Sequence, residues 1–565
     1  MLVALTILLV FSIRIRLREM PLERDEGEYA YAGKLMLHGV PPYKTAYNMK
    51  LPGTYAAYAV IMAIFGQNPA GIHVGLALVN AASIALVFLL GRKILDATAG
   101  AATAVAFAFM SLSPSVLGLA AHATHFVILF ALGGILLLIH VIENEEGGRQ
   151  KLEECFFTSH FSLLTFCSGL LFGLAFLMKQ HGIFFALFGI AYLIWILNVE
   201  GRTTENNSRA GRSRITHHAS RVMPFSLFLT GLLVPYLLTC LVLWLAGAIK
   251  PFFFWTISYA GKYASAIPIA KAGDMLRAAL QTGGGPGLLF WLLPGLAAVM
   301  MWWEQRLTPS KRFFLTALTL SSFLAMSIGL YFRSHYFVLL LPALAVLIGV
   351  AFSRALYLLR HDKTIELFLA IPILILFPIA IGATLLEDSR LYFDISPALA
   401  SRYIYHSTLF SETAKAAQYI SEQTGKQTST LDTRHSPVLA VLGSEPEIYF
   451  YSHCRAATGF IYTYPLLEEH AYALKLQQQM IDEIERAQPE YVIFVDENTS
   501  WLPWPNADRR IFEWWKSYWA NNLDLVKTIP IEGAGERSGV FGETSQASGS
   551  NQAKKYIFIF KRKQT

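Results

Sequence analysis

Arg24-Asp25-Glu26-Gly27-Glu28-Tyr29-Ala30-Tyr31-Ala32-Gly33 follows closely on an uncharged apolar run, Leu2 to Ile13. That run reads as a membrane segment, so the acidic pair Asp25-Glu26 falls near a membrane–water boundary. Carboxylates are costly beside hydrocarbon, and an ionisable group at that depth marks a functional site unless a solvated juxtamembrane loop explains it. A helix-forming stretch continues to about His38, and Lys50-Leu51-Pro52-Gly53 then places a base in the same loop.

The rest of the chain fits a membrane setting. Hydrophobic residues make up 54% of the 565 residues and charged residues 15%, where soluble domains carry about a quarter. The apolar residues come in blocks close to the roughly 20 that a spanning helix needs. Spans are expected near 1–13, 71–90, 98–118, 123–142, 162–178, 182–198, 224–247, 287–303, 313–330, 336–353 and 365–385, about eleven in all. The first is short for a crossing. Its start at Met1 without a basic flank suggests that the true N-terminus lies upstream, and no small-residue cleavage site follows Ile13 to mark a signal peptide.

Loop charge sets the expected orientation. With the N-terminus inside, Arg92, Lys93, Arg149, Lys151, Arg202, Arg209, Arg212, Arg214 and Arg221 fall in inner loops. Arg306, Lys311, Arg312, Arg354, Arg360 and Lys363 follow suit, as the positive-inside rule asks. Arg14, Arg16 and Arg18 disagree with it. The net charge of +7 is mostly this topology signal and does not imply a nucleic-acid partner. Of the four cysteines, Cys155, Cys167, Cys240 and Cys454, no pair has metal-ligand spacing, and only Cys454 is expected outside.

Near Leu386 the chain changes character. Helical spacing over Ser411 to Thr424, Met480 to Ala487 and Ile511 to Ala520 alternates with strand runs at Pro437–Leu442, Tyr491–Val495 and Tyr556–Phe560. This pattern predicts a small α/β domain over 386–565, interrupted by a Gly/Ser-rich loop from Gly533 to Gln552. The Gly283-Gly284-Gly285 triplet lacks the Lys-Ser/Thr of a phosphate loop and reads as a helix start.

Several candidate groups gather on the expected outer face. Besides Asp25, Glu26 and Lys50 these are His122, His125, Lys179, His181, Arg333, His335 and Tyr336. Interfacial anchoring is the alternative for Lys179, His181, Arg333 and Tyr336, because Lys and Arg snorkel and Tyr favours that depth. A satisfied structural histidine is the alternative for His122 and His125. A carboxylate pair with several cations on one face is what transfer from a lipid phosphate requires. The carboxylate removes a proton from an acceptor hydroxyl, and fixed cations stabilise the phosphate leaving group.

The Arg24–Tyr31 stretch resembles the first external loop of the GT-C glycosyltransferases, in the protein mannosyltransferase and aminoarabinose transferase group. Asn48-Met49-Lys50-Leu51-Pro52-Gly53 resembles the lysine-proline element of the same loop. Gly173–Gln180, His335–Ala343 and Gly443–Phe450 resemble later segments. The resemblance implies a polytopic α-helical membrane protein of GT-C fold over 1–385, with its catalytic first external loop over 14–70, and a C-terminal extracytoplasmic α/β domain. It implies transfer from a polyprenyl-phosphate sugar to a lipid, glycan or protein acceptor at the outer face of the cell membrane, in a bacterium the inner membrane, with inversion at the anomeric carbon. Asp25 would be the general base, Glu26 its support and Lys50 the donor-phosphate contact. Lys179, Arg333, His335 and Tyr336 would be further donor contacts. Two positions depart from the pattern. Met49 replaces a Glu that helps bind a metal in the aminoarabinose transferases, and a thioether is a poor ligand for a hard divalent ion, so no cofactor is carried over and a divalent metal has no support in the sequence. His125 stands where many members carry an acid, and there it would relay a proton or bind phosphate when charged. The competing class is a polytopic transporter or lipid flippase, and a third is a membrane scaffold whose external domain binds a partner.

Overall fold

The computed structural model describes residues 1–146, 159–207, 214–282, 287–304, 306–360, 367–425, 436–533 and 555–564. The Gly283-Gly284-Gly285 triplet, nearly all of the Gly533–Gln552 loop, Cys155 and the inner-loop bases Arg149, Lys151, Arg209, Arg212 and Lys363 lie outside them.

Among the described residues, seven helices are long and apolar enough to cross a membrane: Pro69–Ile94, Ala123–Val141, Gln180–Leu197, Val222–Leu245, Pro309–Leu330, Leu341–Arg360 and Ala370–Glu387. The protein is a multi-pass membrane protein. Each of the seven overlaps an expected span. Three other expected spans form shorter apolar helices, Ala97–Met110, Ser162–Met178 and Gly287–Met301. The expected first span is α1 (Leu2–Arg16), 15 residues long. The run at 98–118 is cut short because the chain leaves the helix at Ser111 and turns through Pro114–Val116. Proline supplies no amide hydrogen to carry a helix on. The helix expected from 336 starts at Leu341, since Ser334–Leu339 winds as a 3-10 segment.

The chain forms two compact units. Met1–Arg14, Leu76–Leu241 and Ala279–Tyr392 make the first; Ile15–Gly75, Val242–Ala278 and Phe393–Thr565 make the second.

In the first unit, Ala97–Met110 is rich in alanine and packs against Leu341–Arg360. The approach is close: a Cβ on Gly349 would lie 2.1 Å from Thr103 Oγ1 and 2.4 Å from the Ala99 carbonyl oxygen. Small residues allow this where lipid-facing helices gain little from hydrophobic burial. Arg14 is buried, and its guanidinium donates to the carbonyl oxygens of Ser111 and Gly118, both at 2.7 Å. Ser111 caps Ala97–Met110, where helix carbonyls are left open, and Gly118 follows the Pro114–Val116 turn.

The second unit contains a five-stranded sheet in the order β2-β1-β3-β5-β4. The strands are β1 (Val438–Leu442), β2 (Arg455–Ala456), β3 (Tyr491–Asp496), β4 (Leu523–Ile531) and β5 (Lys555–Arg562). β1 runs parallel to β2 and β3, whereas β5 is antiparallel to β3 and β4. β1, β3 and β5 match the three expected strands. β4 is an edge strand carrying Asp524, Lys527 and Pro530, and those residues hid it in the sequence. Charge and proline are common at sheet edges because they discourage further pairing.

The same unit holds α2 (Arg24–Leu37), which matches the helix expected up to His38. A capping box starts it: Glu23 accepts from the Glu26 amide, and Glu26 accepts from the Glu23 amide. α2 packs on α3 (Gly53–Phe65) and on the short helix Glu447–Ser452. Gly27 permits the second contact, since a Cβ there would lie 2.5 Å from the Glu447 amide nitrogen and 2.7 Å from its Cα. Backbone cannot swing aside as a side chain can. Gly27→Ala is therefore expected to destabilise the protein by about 1–3 kcal/mol, read as an earlier thermal unfolding transition of the detergent-purified protein; an unchanged transition would rule out the close contact. Arg16 and Arg18 also have partners here: Arg16 donates to the Ile395 carbonyl at 2.6 Å, and Arg18 pairs with Glu19 at 3.5 Å. Arg14 and Arg16 thus bond to backbone carbonyls, which explains why a loop-charge count misreads them.

Candidate active site

Asp25 lies in the first turn of α2, and Glu28 follows it by three residues. On a helix that spacing puts both carboxylates on one face. Lys50 reaches them from the stretch ahead of α3: its Nζ donates to Asp25 Oδ1 at 2.7 Å and to Glu28 Oε2 at 2.6 Å. The Lys50 main chain is held as well, its carbonyl accepting from the Tyr43 hydroxyl at 2.6 Å. The ammonium also sits 4.6 Å from the Tyr29 ring centre and 5.3 Å from that of Tyr462, within cation–π range. Glu28 is fully buried, whereas the Asp25 side chain keeps 18% of its surface exposed. Of the two acids, Asp25 is the one a substrate can reach.

Electrostatics follow from this geometry. Burial alone would lower the Lys50 ammonium, but Asp25 and Glu28 together hold it well above the usual lysine range. Lys50 is a fixed cation. Burial pushes Glu28 up and Asp25 adds to the push, against the opposing effects of Lys50 and of the Tyr55 hydroxyl, which donates to Glu28 Oε1 at 2.5 Å.

Glu26 takes a different place from its neighbour. It is fully buried, closes the helix cap and lies 3.0 Å from His73 Nε2, while His73 Nδ1 contacts the Arg18 carbonyl at 2.7 Å. Arg24, on the other side of Asp25, forms an ion pair with the buried Glu445 at 2.9 Å and donates to the Thr499 hydroxyl at 3.1 Å. The side chains around Asp25 thus form a chain of contacts that holds the first turn of α2.

The remaining candidates lie in the first unit. Lys179 precedes the 3-10 turn Gln180–Gly182, and its Nζ lies 3.2 Å from His335 Nε2 and 4.3 Å from the Tyr336 ring centre. The His335 ring stacks on His122 with centroids 4.2 Å apart, and Tyr336 meets His181 edge-on. Lys179, His335 and Tyr336 therefore converge. Arg333 instead lies over the Tyr331 ring at 5.4 Å. Just ahead of it, Leu330 (φ 59°) and Phe332 (φ 45°) adopt left-handed backbone. Non-glycine residues hold that conformation only where surrounding structure enforces it, and such positions cluster at functional sites. His125 is buried, and neither of its ring nitrogens has a hydrogen-bond partner among the described residues.

Reading the sequence missed Glu28, Tyr55, His73, Tyr462 and the Arg24–Glu445 pair. Glu28 carried a signal, the three-residue spacing from Asp25 within one helix. The others come from distant segments and carried none.

Comparison with solved structures identifies the fold. Over 99% of this chain and 97% of theirs, the protein superposes on ArnT from Cupriavidus metallidurans bound to undecaprenyl phosphate, with a TM-score of 0.52 at 13% identity. The ArnT apo structure gives 0.51 at 16% identity, covering 87% of this chain and 92% of that one. The chain has the GT-C fold. The Archaeoglobus fulgidus oligosaccharyltransferase, tethered to an acceptor peptide, matches with a TM-score of 0.52 at 13% identity over 88% of this chain and 69% of that one. Residues 50–206 match the family model described as dolichyl-phosphate-mannose-protein mannosyltransferase. No curated protein sequence matches the chain. The GT-C fold agrees with what the first-loop resemblance implied, and Lys50 is the first residue of the family-model match.

Proposed function

We propose that this GT-C protein is an integral-membrane glycosyltransferase that moves a sugar from a polyprenyl-phosphate donor to an acceptor at the outer face of the membrane. The single observation that carries the reading is the Asp25–Lys50–Glu28 cluster, a reachable carboxylate beside a fixed cation in a chain of this fold. Asp25 takes the proton from an acceptor hydroxyl. The acceptor oxygen bonds to the anomeric carbon as the bond from that carbon to the phosphate oxygen breaks. Polyprenyl phosphate leaves, and the configuration inverts. Lys50 stabilises charge around the carboxylate and on the departing phosphate, in a site partly shielded from water where such interactions count for more.

Lys179, His335 and Tyr336, with Arg333 and His125, are proposed as further donor contacts, and Glu26 as a support that fixes the start of α2. The solved ArnT binds undecaprenyl phosphate, and the matching family model names a dolichyl-phosphate sugar; both support a lipid-phosphate donor here. Residues 386–565 are proposed as the extracytoplasmic domain, with 1–385 as the membrane part, in a cell membrane. The acceptor class, lipid, glycan or protein, is left to the assay.

Between Asp25 and Glu28 the Lys50 ammonium takes the place a divalent ion would fill, and Met49 is no ligand for a hard metal. Sugar transfer is therefore expected to persist, within about twofold, after exhaustive chelation, as ordinary for a site whose charge is supplied by a side chain rather than a metal. A collapse on chelation that added metal reverses would overturn the metal-free reading. The function itself is tested by supplying the purified protein with polyprenyl-phosphate sugars and a panel of lipid, glycan and peptide acceptors. Transfer is the expected result. Transport of the lipid across a vesicle membrane with no transfer to any acceptor would favour the flippase reading instead.

A further inference from the structure

We infer that Tyr462, from the C-terminal segment, is a positioning residue for Asp25, so that this segment completes the base instead of merely covering it. The inference deepens the glycosyltransferase reading and rests on it.

The Tyr462 hydroxyl donates to Asp25 Oδ1 at 2.9 Å, across a separation of 437 residues. Lys50 Nζ binds the same oxygen at 2.7 Å. Two donors on one oxygen fix the rotation of the carboxyl group, which otherwise turns freely about a broad torsion. A base that must meet an acceptor hydroxyl at hydrogen-bond distance benefits directly from a set orientation. The tyrosine is suited to donate and not to compete for the proton. It is buried, and burial together with the Asp25 charge holds its hydroxyl well above the usual tyrosine range.

The placement of Tyr462 is itself supported. Its ring meets Tyr464 edge-on at 5.2 Å, and the Tyr464 hydroxyl donates to the Thr499 carbonyl at 2.8 Å. The adjacent Thr463 is locked between the loop after β1 and the short helix Asn498–Trp501: its amide donates to Ser444 Oγ at 3.0 Å and its hydroxyl to the Ser500 carbonyl at 3.1 Å. Ser500 Oγ in turn donates to Glu445, the partner of Arg24. Asp25 and Tyr462 are therefore tied to the same loops by two routes, one through Arg24–Glu445–Ser500 and one direct. Further along α2, the Ala456 amide donates to the Tyr31 hydroxyl at 2.9 Å, and the Leu22 amide just before the helix donates to the Tyr451 hydroxyl at 2.8 Å. The helix that presents the base is registered against the C-terminal segment along its length.

Tyr462→Phe removes one donor and keeps the ring over Lys50. A hydrogen bond to a carboxylate favours its charged form, so the variant should raise the pKa of the base. The acid limb of the kcat profile is then expected to move up by about one pH unit, the size of a single hydrogen bond expressed as a pKa shift. At neutral pH kcat should fall about tenfold with donor KM unchanged, as for an interaction that acts on the chemical step. Tyr464→Phe is the matched control, since it deletes a hydroxyl two residues away that donates to the Thr499 backbone carbonyl, and it should keep the parent profile.

An unshifted acid limb in Tyr462→Phe would overturn the inference, and so would an equal shift in Tyr464→Phe, which would reduce the effect to packing. Failure of the functional reading looks different, because the parent protein would then transfer no sugar at any pH. In that event difference infrared titration of the Asp25 carboxylate, parent against Asp25→Asn, reads the same shift without turnover. A Tyr462→Phe protein whose Asp25 band titrates as in the parent refutes the contact's role.

Discussion

Asp25→Asn is expected to lower sugar transfer by about 10²–10⁴-fold, the usual contribution of a general base, while donor affinity changes little. The substitution keeps size and hydrogen-bonding shape and removes only the ability to accept a proton. Lys50 and Tyr462 both still find an oxygen at the amide, so the fold around α2 should survive. The measurement is single-turnover transfer with saturating donor, alongside donor binding. Transfer at the parent rate in Asp25→Asn would remove the central assignment. A loss of donor binding as large as the loss of rate would instead make Asp25 a binding residue.

Lys50→Ala should have the second largest effect, and it acts on stability as well as rate. It removes the cation between Asp25 and the fully buried Glu28. Breaking a buried pair by deleting one partner costs about 3–5 kcal/mol, because the remaining charge is stranded. The same cation is proposed to act on the donor phosphate in both ground and transition states, so donor binding and rate should fall together. The two effects can be separated. In Lys50→Ala/Glu28→Gln no buried charge is stranded at position 28, so the unfolding transition should recover much of the loss while transfer stays low. If the double variant regains transfer as well, Lys50 is only a structural counterion.

How far this site could be read without coordinates depends on distance along the chain. Asp25 stood out because an acid at a membrane boundary is rare, and Lys50 because it shared the loop. Glu28 was legible in principle from its spacing, yet only the fold makes it the second grip on Lys50. Glu26 looked like one half of a catalytic pair, whereas successive residues on a helix face about 100° apart. That turn sends its carboxylate to the cap and to His73 while Asp25 meets Lys50. Arg14 and Arg16 misled the charge count because a buried or half-buried guanidinium on backbone carbonyls cannot be told from a loop cation by residue type.

Sequence by itself determined the membrane class, the position of seven long spans, helix α2 with its acids, and three of the five strands. Each of these depends on a contiguous run whose periodicity or apolar content is local, and local patterns survive being read one window at a time. Tertiary structure decided which carboxylate the lysine clasps, which tyrosine binds the base, and that residues 15–75 share a compact unit with residues 393–565. Those facts depend on side chains brought together across hundreds of residues by sheet pairing and helix packing, and no window of sequence contains both members of such a pair.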